Sequence, residues 1–316
     1  MTINRKKEIK KILLVGLGNL GSNYIKAIFS LPFKIELYIF DKNSDQLNKK
    51  LFPPVNIKII KLKNLSKLNT NLELVIVATT ANKRLELIQK LKKNKVRFWI
   101  LEKLLEQNIE SLNKIYKKLK LSNCWVNIPR RTMPEYKFIK KNYNFDIPCE
   151  LKLGMNGDRI VTNAIHFIDL LCWFSNSKID SIDISKLKPS WVKSKREGFY
   201  ETGGILKIIL KNKSKIILKA GNKTKKTDIS INNKEMGWKI SETKLIAIRS
   251  DGLKIKIKLP LVSELMKKIT KDIIVKNKCS LPTLGEVIEN HNVLLLSLHK
   301  HWNFCKKEKI KNLPIT

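Results

Sequence analysis

Residues 11–21, which read KILLVGLGNLG, decide the fold of the first part of the chain. The apolar run at 12–15 has the composition of a strand buried in a parallel sheet, and it ends directly in Gly16, Gly18 and Gly21. In a G-x-G-x-x-G turn the first glycine permits a tight turn, the second lets the backbone approach a pyrophosphate, and the third lets the next helix pack closely. The stretch therefore predicts a strand, a dinucleotide-binding turn and a helix.

The residues after the turn agree with this interpretation. Apolar side chains at positions 20, 24, 25 and 28 recur at helical spacing. The first turn of such a helix has N–H groups without an intrahelical partner, and these bind anions. We predict that the pyrophosphate of a dinucleotide binds at Gly16, Gly18, Asn19, Leu20 and Gly21.

A second predicted strand, at 35–40, ends at Asp41, which lies 20 residues past Gly21. An acidic side chain there accepts hydrogen bonds from the adenosine ribose and repels a 2′-phosphate, so NAD is expected as the cofactor. Lys42 leaves NADP open, because a lysine compensates a phosphate. The alternatives are a strand-helix-strand unit without a ligand, or Asp41 as a turn residue before Lys42 and Asn43.

The rest of the first part alternates predicted strands, at 55–60, 72–78 and 96–101, with helical patterns. This alternation predicts an α/β fold, the doubly wound parallel sheet of a Rossmann domain. Ligands bind beyond the carboxyl ends of such strands, so Thr79, Thr80 and Glu102 are expected at the cofactor and Lys103 beside the nicotinamide.

The pattern changes after about residue 122. Strands with alternating apolar residues are expected at 205–210, 215–218 and 254–259, and a helix is expected at about 284–305. We predict a Rossmann domain over 1–122 and, over 123–316, an α+β domain with an open, mainly antiparallel sheet. The last helix is expected to pack back toward the first domain, and the sheet of the second domain is a candidate surface for a homo-oligomer.

Composition restricts the classes of protein further. The chain has 316 residues, of which 43% are hydrophobic, and no apolar run approaches the roughly 20 residues that span a bilayer. Its five cysteines are scattered and odd in number and form no C-x-x-C, which argues against a disulfide framework and a zinc site. We expect a cytoplasmic protein with no metal and no membrane partner.

The formal net charge is +37, which suggests nucleic-acid binding at first sight. Of the 64 basic residues only eight are arginine, however, and the lysines are spread over the whole chain. Readers of specific nucleic-acid sequences favour arginine in a localised patch. We therefore expect no specific nucleic-acid partner, although the charge raises the local concentration of small anionic molecules.

Two residues are candidates for proton chemistry. His166 shares one helix face with Asp169, and an imidazole accepts a hydroxyl proton near neutral pH. The alternative is a histidine that only hydrogen-bonds Asp169. Lys103 ends the strand WILEK, where its amine can bind a substrate hydroxyl or carbonyl, and the alternative is one more solvated lysine.

Taken together, these motifs resemble the Gfo/Idh/MocA (glucose–fructose oxidoreductase and inositol dehydrogenase) family over nearly the whole chain. Besides the glycine motif, the resemblance rests on 78–82 (ATTAN), 101–103 (LEK), 127–136 (NIPRRTMPEY), 166–169 (HFID) and 281–283 (LPT). It implies an NAD(P)-dependent oxidoreductase that acts on the CH–OH group of a sugar or cyclitol. In that family a lysine and a histidine at the positions of Lys103 and His166 flank the substrate.

Two positions depart from the family pattern. Leu104 replaces a proline, and Thr162 replaces an aspartate that many members carry four residues before the histidine. The second departure leaves open a non-catalytic dinucleotide-binding sensor or partner protein. The segments 163–173 and 195–204 look most like a branch that accompanies bacterial surface-sugar genes, which implies an amino-sugar or nucleotide-sugar substrate. Substrate contacts are expected at Arg130, Arg131, Tyr136, Asn163 and Asp169.

Overall fold

The computed structural model describes residues 8–48, 50–91 and 93–316, which divide into two compact units. Unit 1 takes the described residues of Met1–Glu106 together with Asn113–Asn127 and Pro260–Leu284, and unit 2 takes Gln107–Leu112, Ile128–Leu259 and Gly285–Thr316. This division differs from the predicted one at 122/123. Residues 123–127 belong to unit 1, and the chain returns to unit 1 at 260–284.

The helices of the described residues are α1 Asn19–Phe29, α2 Ser44–Asn48, α3 Arg84–Lys90, α4 Ile109–Leu119, α5 Pro134–Lys141, α6 Ile160–Ser175, α7 Val262–Lys276 and α8 Leu284–Lys306. The pattern at 284–305 therefore predicted the last helix well. Among the described residues, no helix is both long and apolar enough to cross a lipid bilayer.

Unit 1 contains a parallel sheet of β1 Lys10–Val15, β2 Ile35–Phe40, β3 Ile57–Lys61, β4 Leu72–Val77, β5 Val96–Leu101 and β6 Asn123–Val126. The strand order is β3-β2-β1-β4-β5-β6, and every neighbouring pair is parallel. This confirms the predicted doubly wound sheet. The order reverses between β1 and β4, which is where an open α/β sheet binds its ligand.

The core of unit 1 lies around its two central strands. Ile12, Leu13 and Leu14 of β1 are fully buried, as expected for a strand covered on both faces. Helix α7 packs against α1, with Met266 and Ile269 among its buried residues. This packing explains why a segment so late in the chain belongs to unit 1.

The sheet of unit 2 consists of β7 Glu150–Asn156, β8 Ile179–Asp183, β11 Gly204–Leu210, β12 Lys215–Gly221, β13 Ile229–Asn232, β14 Gly237–Ser241, β15 Ile246–Arg249 and β16 Lys254–Lys256, while β9 Val192–Lys193 and β10 Tyr200–Glu201 form a separate pair. Its order is β16-β15-β14-β13-β7-β12-β11-β8, and only β7 and β12 pair in parallel. This confirms the predicted open, mainly antiparallel sheet.

The strand predicted at 254–259 is shorter in the structure. The pattern at 254–259 predicts six residues, whereas β16 ends at Lys256. Ile257 still donates a backbone hydrogen bond to Leu245, but Leu245 has a left-handed φ of 53° and turns the neighbouring strand away. The pairing of β16 with β15 therefore ends at Lys256, opposite the first residue of β15.

Helix α6 is the central helix of unit 2. Ten of its 16 residues are buried, and it packs against β10, β11, β12 and the turn Pro129–Thr132. The buried face of β11 and β12 presents Leu206, Ile208 and Leu218 to this side of the sheet. This packing holds the helix that carries His166.

Candidate functional site

The glycine turn after β1 requires glycine for two different reasons. Gly16 has φ 97°, and a Cβ there would lie 2.8 Å from the carbonyl oxygen of Ala78. A Cβ at Gly21 would overlap the carbonyl oxygen of Gly16. Gly18, by contrast, has no atom within 4 Å of its Cβ position. The second glycine therefore faces open space, as it must if a ligand approaches the backbone there.

The N-terminus of α1 is prepared for an anion. Gly18 is its N-cap residue and offers no side-chain hydrogen bond to the first turn, and that turn has no acidic residue. Asn19 is exposed and Leu20 is half-buried. Uncapped N–H groups and the positive end of the helix dipole together favour a phosphate.

Asp41 is bound to the glycine turn. One carboxylate oxygen accepts a hydrogen bond of 2.6 Å from the backbone N–H of Leu17, and the other accepts one of 2.9 Å from the N–H of Asn43. Asp41 is thus a turn residue, but a carboxylate accepts about four hydrogen bonds, so ribose hydroxyls can still bind it. Asp41 can therefore be both a turn residue and a ribose-binding residue.

Arg84 holds the ends of β4 and β5 together. It is fully buried, and its guanidinium donates to the backbone carbonyl oxygens of Thr79 at 2.7 Å, Thr80 at 3.2 Å, Glu102 at 2.7 Å, Leu104, and Leu105 at 2.8 Å. Burial lowers the pKa of Arg84 to about 10, and the carboxylates of Glu102 and Glu106 oppose this shift. Arg84, which was not predicted as a site residue from the sequence, thus fixes two of the three predicted cofactor loops.

Two buried polar side-chain atoms near the same strand ends have no hydrogen-bond partner within the described part of the chain. The Thr79 hydroxyl and the Asn127 carboxamide oxygen are buried and have no hydrogen-bond partner among the described residues. The Asn127 amide donates to Glu102. Lys103 is half-buried, and the Lys103–Leu104 peptide bond is cis. Since buried polar groups are normally hydrogen-bonded, these orphaned atoms fit a polar ligand at this edge.

The predicted cofactor residues of unit 1 thus lie along one edge of the sheet in the order Asp41, glycine turn, Thr79 and Lys103. They follow β2, β1, β4 and β5, so the row spans three strand spacings, about 14 Å. An extended dinucleotide needs a groove of this length. The residues present along this edge therefore fit a dinucleotide such as NAD(P).

In unit 2, the residues predicted around His166 form a stripe along α6. Thr162, Asn163 and His166 are half-buried, whereas Asp169 is fully buried. The Asn163 amide donates to the carbonyl oxygen of Arg159 at 3.0 Å. The N-terminal end of the stripe therefore reaches the surface of unit 2, and the end at Asp169 does not.

Asp169 forms a buried ion pair with Arg131. Arg131 Nε donates to Asp169 Oδ2 at 2.9 Å, Nη2 donates to Oδ1, and Nη1 donates to Glu286 at 2.8 Å. Burial raises the pKa of Asp169 to about 6, although Arg131 opposes the shift. These two residues hold α6 in place and are enclosed.

Arg130 belongs to a second internal cluster. It donates to the Tyr136 hydroxyl at 2.8 Å and to Glu242, and its guanidinium lies 4.4 Å from the ring centroid of Phe167. Tyr136 is fully buried, and burial raises its pKa well above the usual range. Arg130 keeps 18% of its side chain exposed, so of the cluster it is better placed than Tyr136 to meet a ligand.

Glu201 of β10 lies at the start of α6. Its carboxylate accepts hydrogen bonds from the backbone N–H of Val161 at 2.9 Å and of Thr162 at 3.0 Å, and from the Thr162 hydroxyl. Glu201 is 6% exposed. Glu201 lies within the segment 195–204 but was not predicted as a site residue, since its partner Thr162 is 39 positions away in the sequence.

Among the described residues, no group of three or more His, Cys, Asp or Glu side chains is arranged to hold a metal ion. The five cysteines have free thiols.

No protein-family model and no curated protein sequence matches the chain. Solved structures match in fold. The UDP-N-acetylglucosamine 3-dehydrogenase of Acidithiobacillus ferrooxidans has a TM-score of 0.66 at 9% identity, over 93% of this chain and 98% of that one. The myo-inositol 2-dehydrogenase of Lactobacillus plantarum has a TM-score of 0.65 at 12% identity, over 97% and 100%.

A structure of another kind of protein matches in fold as well. The super-repressor mutant of Gal80p from Saccharomyces cerevisiae has a TM-score of 0.65 at 15% identity, over 94% of this chain and 99% of that one. The matches to the dehydrogenases confirm the fold that the resemblance implies, which is the fold of Gfo/Idh/MocA-type oxidoreductases. A fold shared at such low identity does not by itself define an activity.

Proposed function

We propose that this protein is an NAD(P)-dependent oxidoreductase that transfers a hydride between nicotinamide and a carbinol carbon of a sugar or cyclitol. The observation that carries the proposal is the fit of the strand-end edge of unit 1 to a dinucleotide. Gly18 faces open space, the start of α1 is uncapped, and Asp41 is fixed beside the turn. A chain that only needed a parallel sheet would have no use for this combination.

When bound, NAD(P) would supply the acceptor for the hydride of the carbinol carbon. His166 accepts the hydroxyl proton as general base, and Lys103 donates a hydrogen bond to the same oxygen as it becomes a carbonyl. In the reverse direction His166 returns the proton. The hydride would leave to the cofactor and the proton to His166, so the electrons and the proton both have a destination.

We propose NAD as the preferred cofactor. The carboxylate of Asp41 is held by two backbone N–H groups and stays close to where an adenosine ribose would lie. A fixed carboxylate binds the ribose hydroxyls and repels a 2′-phosphate. Lys42 follows directly and is exposed, so NADP binding is expected to be weaker but measurable.

For the substrate we propose an amino-sugar or nucleotide-sugar. Dehydrogenases of UDP-N-acetylglucosamine and of myo-inositol have this fold, which supports a polyhydroxylated ring. The exposed parts of Arg130 and Asn163 are the proposed substrate contacts in unit 2. Arg131, Tyr136 and Asp169 then act indirectly, because they are buried and hold the contacting residues in place.

The second candidate function is a non-catalytic dinucleotide-binding sensor. Two observations favour it: Thr162 stands where the family pattern has an aspartate, and Gal80p, the subject of the super-repressor structure, has the same fold. Such a protein would bind NAD without oxidising any sugar.

Stopped-flow absorbance at the reduced-nicotinamide band distinguishes the two functions. The protein is mixed with NAD or NADP and with UDP-N-acetylglucosamine, UDP-glucose or myo-inositol. Formation of reduced cofactor that disappears in Lys103→Ala and persists in the exposed control Lys95→Ala supports the oxidoreductase. Full turnover by Lys103→Ala contradicts its proposed role, and cofactor binding without redox change across the panel supports the sensor.

A further inference from the structure

We propose that Glu201 is a positioning residue for His166. Its carboxylate is fixed at the start of α6, on the side of the helix that carries the imidazole, and it stabilises the imidazolium that forms when His166 accepts a proton. This inference rests on the proposed role of His166 as the general base.

The contacts of Glu201 place its charge with little freedom. Both carboxylate oxygens are bound to α6, one to the N–H of Val161 and the other to the N–H and the hydroxyl of Thr162. The side chain is buried, so water screens its charge poorly. Glu201 therefore presents a negative charge at one defined point of the helix.

That point lies one helical turn before His166. Thr162 and His166 are four residues apart on α6, so their side chains are neighbours on one face, with about 5 to 6 Å between the Cβ atoms. The Glu201 carboxylate is bound to the Thr162 hydroxyl and therefore lies about one turn from the imidazole, where a nearby opposite charge favours the imidazolium.

The other charged and titratable groups near α6 do not supply the same charge. On the turn Pro129–Thr132, Arg130 is bound to Glu242 and Arg131 to Asp169. Strand β10 adds Tyr200 beside Glu201, and β11 and β12 turn apolar side chains toward α6 while Lys207, Lys215 and Lys219 alternate with them. On α6 itself, Asp169 is paired with Arg131. Glu201 is thus the carboxylate that binds the start of the helix.

Glu201 does more than a helix cap requires. Cap residues are usually the Ser, Thr, Asp or Asn next to the helix, and a neutral oxygen is sufficient. Here the N-cap residue is Arg159, which makes no side-chain cap bond, and the cap comes from a distant strand as a carboxylate. A glutamine at 201 keeps one accepting oxygen for the helix start, but it replaces the other oxygen with an NH2 donor and removes the charge. Variants that return a carboxylate at 201 or 162 therefore separate the role of the charge from that of the cap.

The test is an NMR titration of the imidazole groups in the intact protein. The chain has only four histidines, so the His166 signal can be assigned with His166→Gln. We expect Glu201→Gln to lower the pKa of His166 by about one unit, as expected for loss of a nearby opposite charge. Glu201→Asp should retain most of the shift, and Glu201→Gln with Thr162→Asp should restore it, because the carboxylate then stands on α6 itself.

The matched control is Glu289→Gln, which removes a carboxylate of unit 2 that pairs with Lys178 instead. If Glu201→Gln fails to fold, two double variants are titrated in its place, Glu201→Gln with Thr162→Asp and Glu201→Gln with Thr162→Asn, because they differ only in the charge at 162. An unchanged pKa of His166 in Glu201→Gln, or equal pKa values in the two double variants, overturns the proposal.

The titration needs no turnover, so it separates two failures. If Glu201→Gln lowers the pKa of His166 but the protein oxidises no sugar, the proposed function is contradicted and the role of Glu201 is retained. If the protein is active, Glu201→Gln should lower kcat about tenfold with little change in KM, and the second-site Thr162→Asp should recover it.

Discussion

The carboxylate of Asp41 accepts a 2.6 Å hydrogen bond from the backbone N–H of Leu17. This bond joins the end of β2 to the glycine turn after β1, so the residue expected to choose the cofactor also helps to shape the turn that binds it. A change at Asp41 therefore has two separable consequences.

Asp41→Ser is expected to weaken NAD binding about tenfold to a hundredfold, because two ribose hydroxyls lose a charged acceptor. NADP binding should improve, since the repulsion of its 2′-phosphate disappears. Isothermal titration calorimetry with both cofactors measures the ratio. The control is Asp45→Ser, an exposed acidic residue of α2. An unchanged ratio in Asp41→Ser would contradict the assignment of Asp41 to the ribose.

Gly18→Ala should affect dinucleotide affinity, whereas Gly21→Ala should affect the stability of the fold. A Cβ at Gly18 meets open space, so stability should change by less than about 1 kcal/mol while dinucleotide affinity falls. A Cβ at Gly21 overlaps the carbonyl oxygen of Gly16, so the fold itself should be destabilised by several kcal/mol. Urea unfolding and NAD calorimetry together distinguish the two. Normal NAD binding by Gly18→Ala would remove the pyrophosphate from this turn.

Arg84→Lys should destabilise unit 1 by about 2 to 4 kcal/mol. A lysine has one ammonium and cannot reach the carbonyl groups of two loops that the planar guanidinium binds. Arg97→Lys is the matched control, because Arg97 forms an exposed ion pair with Glu73 and such pairs contribute less than about 1 kcal/mol. Equal midpoints of urea unfolding for the two variants would contradict the role of Arg84.

Asp169 should make stability depend on pH. Burial raises its pKa to about 6, whereas an unfolded aspartate titrates near pH 4. Between about pH 4 and 6 the folded state holds a proton that the unfolded state has released, so the free energy of unfolding falls as pH rises through this window. The fall attributable to this group is on the order of 3 kcal/mol. It should vanish in Asp169→Asn and persist in the exposed control Asp180→Asn, as measured by urea unfolding at several pH values.

The open face of the unit 2 sheet remains our predicted surface for a homo-oligomer. It carries a cavity of about 1190 Å³ whose lining includes Lys152, Lys219 and Lys239. Lysines facing each other repel, and salt screens them. Any association through this face should therefore strengthen between 0.05 and 0.5 M NaCl in light-scattering measurements, as it should in Lys219→Glu at low salt. An oligomer that dissociates in salt would assign the contact elsewhere.

Local signals were sufficient for the first half of the candidate site. The spacing of Gly16, Gly18 and Gly21 reports a backbone requirement, and the apolar run before Asp41 reports a buried strand. Both depend on a few consecutive residues, which is why strand ends, turn and acidic residue were predicted together. The rarity of arginine is a further signal of such sites: in a chain with 56 lysines among 64 basic residues, Arg84, Arg130 and Arg131 each donate to two or more acceptors inside the fold.

The sequence by itself determined the two sheet architectures and the residues at the strand ends of unit 1, because periodicity and glycine geometry are properties of short segments. Only the tertiary structure decided that 123–127 and 260–284 belong to unit 1, that Asp169 is enclosed by Arg131, and that Glu201 reaches the start of α6. The contacts of Asp169 and Glu201 join residues 38 or more positions apart. Their partners are selected by how the two faces of a sheet are covered, and no local pattern in the chain records that choice.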